Sequence, residues 1–124
     1  MMKKVIMLLA VVCTVNSLAV RAESIATFSG KKFSATIEEQ CAEANLSCDK
    51  VWLTSTSLKT HQSIKLKGET INVNCPDVCD FRGYRFTNGD YEYAFYPGGK
   101  DISSWDYIIT KNDRVIAQDH GVMK

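Results

Sequence analysis

The chain has no apolar run long enough to cross a bilayer. Its longest, residues 5–15, falls well short of the roughly 20 residues that a spanning helix needs. It has no excess of one charge either, with 15 Lys and Arg against 14 Asp and Glu. No internal repeat, low-complexity stretch or linker divides it. It contains only two histidines, His61 and His120, and nothing that resembles a nucleophile elbow, an oxyanion loop or a Gly-rich phosphate fingerprint. These absences argue against a membrane span, against binding to nucleic acid and against a catalytic centre of a standard kind, and no cofactor is expected. Triads and carboxylate pairs can be drawn on paper from any chain of this size, but no local pattern selects one.

What is present begins with a leader. Lys3 and Lys4 precede the apolar run, and Val20-Arg21-Ala22 supplies a cleavage site. Cleavage after Ala22 leaves 102 of the 124 residues, the size of one domain. The leader carries three of the 15 basic residues, so the mature chain holds 12 against 14 acidic ones, a net charge of −2. Cys13 lies inside the apolar run and follows Val12, not the small residue of a lipidation site, so it is expected to leave with the leader. The reading is an exported protein in the periplasm or outside the cell, with a single domain over residues 23–124.

Four cysteines remain: Cys41, Cys48, Cys75 and Cys79. An even count in an exported chain reads as two disulfides. Cys41–Cys48 and Cys75–Cys79 are favoured because each near pair can meet through a local turn, and Pro76-Asp77 is a turn dipeptide. The crossed pairings stay open. Each short loop would contribute about 2 kcal/mol in the chain-entropy picture. The spacings do not match structural zinc knuckles, and three residues between Cys75 and Cys79 do not make the usual redox motif.

Thr36-Ile37-Glu38-Glu39 fits a capping box, so residues 37–46 read as a short helix with Ile37, Cys41 and Ala44 on one face. Residues 23–32 read as a frayed start or an edge strand. The remainder alternates with β-branched and aromatic residues: 51–56, a hairpin of 64–67 and 71–74 turning at Gly68-Glu69, then 83–87 with 91–95, and 105–110 with 114–118. Asn88-Gly89-Asp90 and Lys111-Asn112-Asp113 are tight-turn signals. The expected fold is α+β, mainly β: a curved antiparallel meander of about six to seven strands with one short N-terminal helix.

Aromatic residues crowd residues 84–107, and the loop between the strands at 91–95 and 105–110 is longer than a turn, with Gly98, Gly99, Lys100 and Asp101. Exposed aromatics and preorganised loops mark protein interfaces. The candidate partner-binding residues are Tyr96, Lys100, Asp101, Trp105 and Tyr107, with Asp77 beside them. In size, leader, disulfides and hairpin-rich pattern the chain resembles small exported bacterial proteins that bind and block an enzyme, such as periplasmic lysozyme inhibitors and effector-immunity proteins. That resemblance implies a protein partner, an enzyme or a toxin, and no catalysis of its own. A structural component of the envelope that pairs through a strand edge is the alternative, and a small hydrolase is a third reading.

Overall fold

A computed structural model of the protein describes residues 24–42 and 45–124. The described chain forms eight strands: β1 (Ser24–Gly30), β2 (Phe33–Glu39), β3 (Val51–Ser57), β4 (Ser63–Val73), β5 (Asp80–Asn88), β6 (Tyr91–Pro97), β7 (Ser104–Lys111) and β8 (Arg114–Met123). Each pairs antiparallel with the next, and β8 returns to β1, so the sheet closes as a barrel in chain order. The mainly β, antiparallel expectation holds. The leader, its cleavage point and Cys13 lie outside the described residues.

Three expectations change. The expected helix at 37–46 does not form among its described residues. Its first residues belong to β2, and Gln40–Ala42 are non-helical; Glu43 and Ala44 lie outside the described residues. Ala35 and Ile37 are both buried while Thr36 between them is exposed, so a period of two governs this segment. The helical reading started at Ile37 and left out Phe33 and Ala35, which complete the strand pattern. Ile37 then pairs with Leu53, and both side chains enter the core. The supposed hairpin at Gly68-Glu69 is one continuous strand of 11 residues. Gly68 lies opposite Val51 on one side and Phe86 on the other, and a Cβ there would overlap the Phe86 ring. Glycine at this position makes room for an aromatic neighbour and does not turn the chain. Finally, residues 24–30 are a full strand with partners on both sides, and the open meander of six to seven strands is a closed barrel of eight.

The two tight turns form as expected. Asn88 pairs with Tyr91 around Gly89-Asp90, and Lys111 pairs with Arg114 around Asn112 and Asp113, both with positive φ. The barrel is filled by side chains. Phe95 stacks on Tyr107 with ring centroids 4.0 Å apart, and Phe28 meets both edge-on. Phe86, Ile37, Leu53 and Val51 complete the buried set. Lys65, Lys67 and Glu69 point outward along β4. The buried interior is apolar, and these β4 charges face outward.

Because the strands run up and down in order, their connections divide between two ends. The turns after β1, β3, β5 and β7 share one end, the mouth. The connections after β2, β4 and β6 (residues 40–50, 74–79 and 98–103) share the other. Both disulfides, Cys41–Cys48 and Cys75–Cys79, lie at this second end and pair as favoured from the sequence. They fit an oxidising compartment.

Candidate functional site

The disulfide end is built on an aromatic floor. Tyr84 of β5 and Trp105 of β7 point into the barrel and stack with centroids 6.0 Å apart. Phe81 covers them, 5.1 Å from Tyr84 and 6.2 Å from Trp105. The Tyr84 hydroxyl donates to Glu39 Oε2 at 2.9 Å. Burial, followed by the Glu39 charge and that hydrogen bond, pushes the Tyr84 phenol far above its ordinary value, so it stays a neutral donor.

Three loops rise around this floor, and each is tied down. Asn72 Nδ2 donates to the Leu46 and Cys79 carbonyls, both at 3.0 Å, linking the first loop to the second. Cys48 N–H donates to Thr70 Oγ1, and Thr70 N–H returns a bond to the Cys48 carbonyl. In the third loop the Asp101 carboxylate accepts from the Ser103 hydroxyl and N–H at 2.9 and 3.0 Å. Those bonds hold Asp101 below the usual carboxylate range. Gly98 N–H donates to the Ser104 carbonyl at 2.6 Å and closes the base of that loop.

Each loop exposes an apolar side chain. Leu46 is 64 % exposed, Val78 57 % and Ile102 96 %, while Phe81 on the floor is 39 % exposed. Ile25 and Val73, also exposed, lie at the same end. The sequence reading missed these residues. They are single apolar positions in polar loops, and only the topology puts those loops at one end of the barrel.

The predicted site residues separate into two groups. Asp77 is exposed in the second loop beside Val78, and Lys100 and Asp101 are exposed beside Ile102, so these three rim the disulfide end. Tyr96 is half-buried on the outer wall of β6, opposite Asp106 of β7. Trp105 belongs to the floor and is largely covered. Tyr107, expected at a partner surface, lies instead in the core. It alternates inward with Trp105 and Ile109, and its hydroxyl donates to Ser55 Oγ at 2.8 Å.

The mouth holds a separate cavity of about 260 Å³, lined by Ser55, Ile64, Tyr91, Tyr93, Tyr107 and Ile116 among others. Burial raises the Tyr93 and Tyr107 phenols above their ordinary values, with Tyr91 adding to the effect at Tyr93 and the Ser55 bond opposing it at Tyr107. The cavity is smaller than the roughly 300 Å³ at which drug-sized ligands begin to be enclosed. Among the described residues, no group of three His, Cys, Asp or Glu side chains comes together to hold a metal ion. No family model, no curated protein and no solved structure matches the chain.

Proposed function

We propose that this is an exported binding protein whose disulfide-braced end docks on a protein partner and blocks it, as an enzyme inhibitor or a toxin-immunity protein does. The observation that carries the reading is the set of exposed apolar side chains, Leu46, Val78 and Ile102, on three loops at one end of a rigid barrel. Scattered apolar residues on a surface need no explanation, but a group at one end does. Asp77, Lys100 and Asp101 supply a charged rim around an apolar centre, the usual anatomy of an interface. The disulfides and the Asn72 bonds fix the loops before any encounter, so little conformational entropy is lost on docking.

The test is capture from envelope and culture extracts with the oxidised chain as bait, followed by an activity assay of the captured protein. A Val78→Asp/Ile102→Asp variant is compared with Val115→Asp, whose exposed residue lies near the mouth. The reading requires one enzyme or toxin, inhibited at equimolar ratio by the wild type, released by the double variant and retained by Val115→Asp. Capture that ignores the double substitution, or that Val115→Asp abolishes equally, overturns it. Recovery of only the chain itself or of envelope structural proteins replaces it with a role in assembly.

A further inference from the structure

Beside the third loop, on the outer wall of the barrel, three side chains far apart in sequence form a hydrogen-bonded line. Ser104 Oγ lies 3.1 Å from His120 Nε2, and His120 Nδ1 lies 2.7 Å from Asp106 Oδ1. The fold explains the arrangement. Ser104 and Asp106 are two apart on β7 and so share its outer face, while His120 of β8 is the register partner of Asp106. A carboxylate only accepts, so Nδ1 carries the proton toward Asp106. That tautomer leaves the Nε2 lone pair facing the Ser104 hydroxyl. We propose that Ser104 is an activated nucleophile, with His120 as its general base and Asp106 as the positioning residue, and that it reacts with activated acyl esters and related electrophiles.

Ser104 is 8 % exposed, and Gly98 spares its hydroxyl a covering side chain, since a Cβ there would crowd Oγ at 3.0 Å. Tyr96 occupies the same outer row, opposite Asp106, and offers an aromatic wall for an acyl or aryl group. The charged groups around His120 are Asp106 on β7, Asp101 in the loop, whose carboxylate feels the imidazole, and the neighbouring Asp119 on β8, whose carboxylate accepts the His120 backbone N–H.

The Gly98 and Ser104 N–H groups are committed to bonds within the loop. The site therefore lacks a free oxyanion pair at those positions and suits electrophiles with good leaving groups, not peptides. In the first step the Ser104 oxygen bonds to the acyl carbon and its proton passes to His120 Nε2. The ester's alcohol departs with that proton. Water then adds to the acyl carbon, gives its proton to Nε2, and the Ser104–acyl bond breaks with return of the proton to Ser104 and release of the acid.

The test is covalent labelling of the oxidised protein with a fluorophosphonate probe, in which the serine oxygen bonds to phosphorus and fluoride leaves. Peptide mass spectrometry should place the label on Ser104, and Ser104→Ala should remove it. His120→Asn should slow labelling about 100-fold or more, the scale of general-base catalysis. Asp106→Asn should slow it roughly tenfold or more while the melting temperature holds, because the imidazole loses its fixed tautomer. A folded wild type that labels no faster than Ser104→Ala, a label on another residue, or a His120→Asn protein that labels at the wild-type rate overturns the proposal.

Discussion

Asp119 is the side chain on which the β1–β2 turn depends. It is only 5 % exposed, and its carboxylate accepts four backbone N–H bonds: from Lys31 at 3.1 Å, Lys32 at 2.8 Å, Phe33 at 2.9 Å and His120 at 2.9 Å. Burial alone would raise its pKa, but these four donors outweigh burial and leave it below the ordinary carboxylate value. The four bonds are part-buried and converge on one carboxylate, which both closes the turn and ties it to β8. Asp119→Asn keeps one oxygen and turns an NH2 group toward N–H donors. It should cost about 3 kcal/mol in chemical denaturation. The pH dependence has a definite sign. A depressed folded pKa stabilises the protein above the unfolded value, about 3.9, and that stability is lost as pH falls through the folded value. The wild type should therefore lose stability below about pH 4, and the Asn variant should show less of that loss. Equal slopes in the two proteins would mean that another carboxylate sets the acid limit.

Among the elements, β5 shows how a local irregularity shapes the floor. The β4–β5 register slips between Ile71 and Asn72, which face Gly83 and Phe81, so Arg82 is the extra residue of a bulge. Residues three apart on a regular strand would point to opposite faces; here the bulge brings Phe81 and Tyr84 to within 5.1 Å of each other. Gly83 makes this possible with φ near 136°, and a Cβ there would overlap the Phe95 carbonyl. Gly83→Ala should cost about 3 kcal/mol and alter the near-ultraviolet signal of Trp105 and Tyr84. An unchanged aromatic spectrum would separate the bulge from the floor.

The same scale explains what was legible in the sequence. The turns at Gly89-Asp90 and Asn112-Asp113 were readable because their residue types tolerate positive φ. The disulfide pairing was readable from short spacing. The capping-box pattern at Thr36 misled because propensity is a weak prior beside burial, and Ala35 and Ile37 are buried on a period of two. Asp77, Lys100 and Asp101 were readable as exposed loop charges. Trp105 and Tyr107 were not surface residues, and the inward alternation through Ile109 carries the signal that places them inside. The line of Ser104, Asp106 and His120 was not legible, since it depends on β8 falling in register beside β7.

At the scale of the whole molecule, closure rests on its shortest seam. Strands β2 and β3 pair along Phe33–Glu39, whereas β1 meets β8 through only Phe28↔Met123, Ser29↔Val122 and Gly30↔Gly121. Reciprocal bonds between Thr27 and Lys124 at 2.8 and 2.9 Å extend it at one end. The Asp119 carboxylate holds the turn at the other. Period-two patterning assigns faces to strands but does not name their partners, so this junction between the first and last strands is invisible in the sequence. It also joins the most distant residues of the described chain, and such contacts carry the largest loop-closure entropy. A Cβ on Gly121 would overlap the Ser29 carbonyl and crowd Gly30. Gly121→Val should therefore part β8 from β1 and expose two unpaired edges, which invite pairing between copies. Amide hydrogen exchange should accelerate at Thr27 and Lys124, whose N–H groups cross the seam, far more than along the β5–β6 hairpin, and light scattering should report association. A uniform rise in exchange through all strands would show that the barrel opens only as one cooperative unit, with no weak line between its first strand and its last.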